Sequence, residues 1–215
     1  MSPFVPRIDL RGHGDSGAGE SCDFNILAAD VIGVITTMGI AEPCLIGHSL
    51  GGVVATLISG TYGAHSVVNI DQPFQDPDLL AEIVKIREQL KGDGFSEALY
   101  NLKVFLSEGA LNGDQLAMLR RFSASANREV LLSLWQPILQ ERFAELNAMF
   151  EAFLPTVSCP YLSLHGRAPV DGYRQWLKRL MPQVRIAHME NTGHYPFLVD
   201  PRRFIEIIRE FDRAD

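Results

Sequence analysis

The sequence predicts an α/β protein built on a mostly parallel sheet, with a long helical insertion near its middle. Three observations predict it. Short β-branched, apolar runs alternate with stretches of helical periodicity at both ends of the chain. Between Gln72 and Ser158 that alternation stops, and only helical spacing remains. One apolar run, Pro43 to Ile46, passes straight into Gly47-His48-Ser49-Leu50-Gly51-Gly52 and out into a second apolar run from Val53 to Ile58.

Taken in order, Phe4 to Leu10 reads as a short strand that Pro6 confines to an edge or places at the strand's start, followed by a glycine-rich loop at Arg11 to Gly17. Asp23 is positioned to cap a helix whose apolar stripe is Leu27, Val31, Val34, Ile35 and Met38, with Gly39 as its stop. The Ser49 strand and its helix come next, then a strand at Ser66 to Ile70 that ends on Asp71. Pro160 to His165 and Val184 to Met189 supply two more strands around a helix at about Tyr173 to Met181. Asp200-Pro201 opens a last helix carrying Phe204, Ile207, Ile208 and Phe211. In such a sheet, ligands sit beyond the carboxyl ends of the strands.

The spacing divides the chain into a core of residues 1–71 and 159–215 and an insertion of residues 72–158. Within the insertion, Leu79, Ile83, Ile86 and Leu90, then Phe95, Leu99, Leu102 and Leu106, then Leu131, Leu134, Trp135 and Ile138 keep helical spacing. About four helices are expected. Their apolar stripes need cover, which the upper edge of the sheet can give, so the insertion is expected to lie over the site as a lid.

Composition narrows the function. A chain of 215 residues, 47% hydrophobic and 21% charged, can bury a sizeable core. Its net charge of −7 opposes binding to nucleic acid or anionic membrane. Cys22, Cys44 and Cys159 are odd in number and lack metal or redox spacing, which suggests buried thiols in a reducing compartment. The first ten residues hold no apolar run of signal-peptide length, so a cytoplasmic protein is expected. No dinucleotide fingerprint, metal cluster or lysine-bearing phosphate loop calls for a cofactor.

A serine on a tight strand-to-helix turn has its hydroxyl thrust out of the backbone, and the flanking glycines let neighbouring chain pass close. The Leu50 N–H then points to where an oxyanion would form. A serine hydroxyl becomes a useful nucleophile only when an imidazole takes its proton, and that imidazole needs a carboxylate to hold its tautomer. His194, in a loop after the last strand, is placed for this. His13, His48, His65, His165 and His188 lie in strands, at their ends or in the glycine loop, where a structural role is the default.

Three stretches, Asp9-Leu10-Arg11-Gly12-His13-Gly14-Asp15-Ser16, Gly47-His48-Ser49-Leu50-Gly51-Gly52 and Asn191-Thr192-Gly193-His194-Tyr195-Pro196-Phe197, together resemble the α/β-hydrolase superfamily with a helical cap. They stand in that family's order and at about its spacing. The resemblance implies Ser49 as nucleophile, His194 as general base and Leu50 N–H as one oxyanion donor, in the chain order serine, acid, histidine.

Two departures accompany it. Members usually begin with three more strands and a His-Gly loop that donates the second oxyanion N–H, whereas Met1 lies eight residues before Asp9. The sheet is therefore expected to lack its first strands, with an exposed edge that invites pairing between two copies of the chain. Members also commonly place the acid three residues after the glycine ending the seventh strand, and here that residue is Pro169. Asp71 and Asp171 are the two replacements. Asp71 ends a rigid strand and is preferred, while Asp171 is expected to cap the Tyr173 helix.

The expected function is a serine hydrolase that cleaves a small, fairly apolar ester or related acyl substrate through an acyl-enzyme on Ser49. The alternatives are a non-catalytic or remnant member that only binds, and a cofactor-free haloperoxidase or dioxygenase using the same fold and triad.

Overall fold

The computed structural model describes residues 5–213. Four parallel strands form one sheet in the order β1-β2-β3-β4: β1 (Cys44–His48), β2 (Ser66–Ile70), β3 (Tyr161–His165) and β4 (Val184–His188). In register, His48 stands opposite Ile70, Ile70 opposite Leu164 and His165 opposite His188. The carboxyl ends of all four strands therefore form one row. β2 and β3 are buried along their whole length, as strands of a parallel sheet covered on both faces must be.

Helix α1 (Phe24–Thr37) begins at Asp23, whose carboxylate accepts the Ile26 N–H at 2.8 Å. Leu27, Val31 and Ile35 bury against Val54 and Ile58 of α2 (Leu50–Thr61). Val34 and Met38, expected in the same stripe, stay exposed because only one side of α1 meets a neighbour. Side chains alternate across the sheet. Val67 and Tyr161 join Ala55 of α2 and Tyr173 and Leu177 of α10 (Tyr173–Leu180). Val68 and Leu162 face the other way, onto Ile207 and Phe211 of α12 (Pro201–Asp212), which follows the short α11 (Pro196–Val199).

Between β2 and β3 the described residues hold seven helical segments rather than about four: α3 (Pro77–Lys85), α4 (Arg87–Lys91), α5 (Phe95–Leu106), α6 (Gly113–Ala124), α7 (Arg128–Leu134), α8 (Gln136–Leu139) and α9 (Phe143–Phe153), the last followed by a 3-10 turn at Leu154–Thr156. α4 and α8 are single turns too short for periodicity to reveal, and α6 buries only Leu119 and Ser123. The three apolar stripes read from the sequence pack chiefly on one another, with Ile83, Leu90, Leu99, Leu102 and Leu106 in one cluster. The insertion also reaches the core: Val130 and the stripe residue Leu134 join α1, and Phe150 and Leu154 join the sheet.

The strand expected at Phe4 to Leu10 is absent from its described part, residues 5–10; Phe4 lies outside the described residues. Among the described residues β1 pairs only with β2, and the polar groups near Asp9 bond within their own exposed loop. Asp9 accepts from Asp15 N–H and Ser16 Oγ, and the Arg11 guanidinium grips both carboxylate oxygens of Asp30 at 2.7 Å. The open flank of β1 leaves Ile46 54% exposed. Of the three thiols, all free, Cys22 is buried as expected, but Cys44 is exposed on this flank and Cys159 is half-buried. Among the described residues, no helix is long and apolar enough to cross a membrane.

Candidate active site

Ser49 sits between β1 and α2 at φ +53° and ψ −121°, a backbone conformation that costs a side-chain-bearing residue ~1–3 kcal/mol. The turn is held on both sides: Ser49 N–H donates to the Ile70 carbonyl at 3.0 Å, and the Ser49 carbonyl accepts from Gly52 N–H at 2.7 Å. A β-carbon on Gly47 would run into the Gly51 carbonyl, so only glycine lets the helix double back over the strand. Leu50 and Gly51 lie in the first turn of α2, where N–H groups have no helical carbonyl to reach and the dipole is positive.

One strand over, Asp71 leaves β2 with φ +48° and donates its N–H to the Leu164 carbonyl at 2.7 Å. Its Oδ1 accepts the N–H groups of Gly166 at 2.7 Å and Arg167 at 3.0 Å, and its Oδ2 faces His194 Nδ1 at 2.7 Å. Asp71 is 2% and His194 6% exposed. Burial alone would raise the Asp71 pKa, but the hydrogen bond and charge of His194, with the two backbone N–H groups, hold it below the ordinary carboxylate range. A carboxylate at Nδ1 keeps the proton there and leaves Nε2 of His194 as an acceptor.

His194 is held through its backbone. Its N–H donates to the Leu106 carbonyl at the end of α5, 2.9 Å away. The preceding Gly193 has φ +55°, and the Ser107 carbonyl occupies the place of its missing β-carbon. His48, the residue before Ser49, donates its Nε2–H to the His194 carbonyl at 2.7 Å, with the two rings 4.4 Å apart. Close packing, and then the nearby charge of His194, push the His48 pKa down to about 3, so this ring is neutral. The turn after Asp71 is fixed by Asn69, whose Nδ2 donates to the Gln72 carbonyl and to the Tyr161 hydroxyl, both at 3.0 Å.

Of the two candidate acids, Asp71 meets His194. Asp171 is exposed and does not cap α10, which starts from Gly172 in the left-handed conformation with no side-chain cap. The expectation that Asp171 caps this helix is thus incorrect: a left-handed glycine at the N-cap turns the chain before a side chain can reach the first N–H groups. His48, Asn69, Leu106 and Arg167 join the site without having been singled out by sequence reasoning. Asn69 carried the one available signal, a polar residue inside a β-branched strand. Among the described residues no group of three or more His, Cys, Asp or Glu could hold a metal ion.

A strained serine at one strand end, beside a buried carboxylate and imidazole pair at the next, defines the class: a model of the alpha/beta hydrolase family matches residues 4–207, and the chain belongs to that family. Among its relatives is the mouse sn-1-specific diacylglycerol lipase ABHD11, 33% identical over 96% of this chain and 71% of the mouse protein. The pimeloyl-[acyl-carrier protein] methyl ester esterase of Aeromonas hydrophila is 26% identical over 96% of this chain and 84% of its own. A solved bromoperoxidase from Bacillus anthracis superimposes with a TM-score of 0.76 over 94% of this chain and 79% of that one, and at 16% identity this is a likeness of fold alone.

Proposed function

We propose that the protein is a serine hydrolase that cleaves a small, fairly apolar carboxylic ester through an acyl-enzyme on Ser49. The observation that carries this reading is the buried Asp71 to His194 hydrogen bond at 2.7 Å, beside a serine held at φ +53° on the adjoining strand end. Two relatives named for ester cleavage, an esterase and a lipase, support the reaction class.

In this mechanism His194 Nε2 takes the Ser49 hydroxyl proton as Oγ bonds to the ester carbonyl carbon. The resulting oxyanion faces the Leu50 N–H at the positive end of α2. Collapse breaks the bond to the alkoxy oxygen, which leaves as an alcohol with the proton from His194. Water, deprotonated in turn by His194, attacks the acyl carbon, releases the carboxylic acid and restores Ser49. Asp71 keeps the imidazole in the Nδ1–H tautomer and stabilises the imidazolium. The insertion packs against the His194 loop, where Leu111 and Leu119 cluster with Tyr195 and Phe197, and acts as the lid.

Turnover of p-nitrophenyl butyrate tests the reading. The wild type should hydrolyse it and Ser49→Ala should not. His194→Ala should be about as damaging as Ser49→Ala, and the double variant no worse than either, because the pair acts as a unit. Hydrolysis by Ser49→Ala at the wild-type rate would assign the chemistry elsewhere. The free thiols fit a cytoplasmic setting, and the open β1 flank fits a homodimer.

A further inference from the structure

Arg167 stands at the corner where the insertion meets the acid. Its backbone N–H holds Asp71 Oδ1, while its guanidinium turns away and donates to Asp76 Oδ2 at 2.7 Å and Glu108 Oε1 at 3.3 Å. Asp76 is the N-cap of α3, accepting the Leu79 N–H at 2.9 Å. Glu108 lies two residues beyond Leu106, whose carbonyl holds the His194 N–H. One side chain therefore ties both the entry of the insertion and the end of α5 to the turn that seats Asp71. The clamp is largely out of water on two sides: the side chains of Arg167 and Asp76 are 16% and 11% exposed, that of Glu108 49%.

The residue type matters. A guanidinium carries a permanent charge on a rigid fork that can serve two carboxylates at once, whereas an ammonium is a single point charge. Burial opposes the charged form of Arg167, but Asp76 first, then Asp71 and Glu108, raise its pKa above the ordinary arginine value.

We propose that Arg167 is a positioning residue for the acid and base pair: its guanidinium clamps the insertion to the Asp71 turn and, balanced by Asp76 and Glu108, fixes the charge around the carboxylate that holds His194. The inference rests on the Ser49, His194 and Asp71 reading. The groups that face the pair come from every neighbouring element. β1 contributes His48 and β3 contributes His165, both neutral because burial pushes them down to about 3 and about 4. α5 contributes the half-buried Lys103, whose charge reaches His48. Tyr195 is neutral, its phenol pushed up by burial. His188 and Glu190, at the end of β4, line the same cleft as Glu108. Against this background, removing Arg167 leaves Asp71, Asp76 and Glu108 with one cation fewer. A more negative surrounding of the Asp71 turn should move the acidic limb of Ser49 labelling to higher pH.

The test is the rate at which a fluorophosphonate labels Ser49, measured against pH in the intact protein. Arg167→Gln should move the midpoint of the acidic limb up by about half to one pH unit and slow labelling roughly tenfold. Arg167→Lys should bring the midpoint back to that of the wild type while recovering only part of the rate. Glu108→Gln, an exposed change that spares every helix cap, should move it down by about a few tenths of a unit. A merely structural arginine would not yield shifts of opposite sign. An unmoved midpoint in Arg167→Gln, or one shared by Arg167→Lys and Arg167→Gln, overturns the proposal. Should Arg167→Gln fail to fold, a Glu108→Gln midpoint that stays or rises overturns it instead. Labelling that survives Ser49→Ala would defeat the underlying reading and is seen separately.

Discussion

His194 Nδ1 and Asp71 Oδ2 lie 2.7 Å apart although 123 residues separate them in the chain, and the whole insertion loops out between them. Asn at position 71 would still accept from Gly166 and Arg167 but would turn an N–H toward Nδ1, driving the histidine proton to Nε2. Asp71→Asn should then lower kcat by ~10⁴, the scale that a misplaced histidine tautomer costs in serine proteases, with a melting temperature within a few degrees of wild type. The exposed Asp171→Asn should change neither. Esterase rates and melting curves for the two variants check this, and a silent Asp171→Asn beside an active Asp71→Asn would reverse the assignment.

Stability should fall with acid in two stages. His165 is 1% exposed and its pKa is pushed down to about 4, chiefly by burial. A histidine whose folded value lies below the unfolded ~6.5 contributes stability that is complete above that pH and is lost as pH falls toward the folded value. His48, at about 3, adds to the same window. Each contributes a slope of up to ~1.4 kcal/mol per pH unit below about pH 6. The depressed carboxylate of Asp71 contributes stability above the usual ~3.9 that is lost only below it. Urea denaturation between pH 7.5 and pH 4.5 should show the first stage, with a shallower slope in His165→Gln; an equal slope in that variant would contradict the assignment.

Gly193 and Gly109 separate a packing constraint from a conformational one. Both have positive φ, but a β-carbon on Gly193 would enter the Ser107 carbonyl, whereas one on Gly109 meets nothing within 4 Å. Gly109→Ala should cost ~1 kcal/mol and keep activity. Gly193→Ala should displace the His194 loop and lose ~10²-fold or more in kcat. Equal activities in the two variants would show that the Ser107 contact does not position the base.

We propose that the flank of β1 away from β2, where Ile46 and Cys44 are exposed, pairs with a second copy of the chain. Light scattering should show concentration-dependent association, weakened by Ile46→Lys. A monomer of unchanging mass from micromolar to millimolar protein would remove the dimer from the account.

The four strands were legible because each is a short apolar run between helical stretches, and β2 spans the residues its β-branched pattern marks, Ser66–Ile70. The strand and helix around Ser49 were legible for the same reason, helped by glycines that the turn demands. The described residues before Leu10 form no strand because strand propensity needs a neighbour to pair with, and the polar groups there are satisfied within their own loop. Short insertion helices such as α8, four residues long, fall below the length at which a 3.6-residue period shows. Arg167 was not legible at all, His48 was read only as a structural histidine and Leu106 only as part of an apolar stripe. Each acts through a backbone carbonyl, a backbone N–H or a partner up to 146 residues away, and no local spacing encodes such contacts.

The most direct measurement is the intact mass of the protein after reaction with a fluorophosphonate, followed by mapping of the modified peptide. An activated serine should take up one adduct per chain, located on Ser49, and the adduct should be absent from Ser49→Ala and His194→Ala under the same conditions. An unmodified wild type, or an adduct on any residue other than Ser49, would contradict the account.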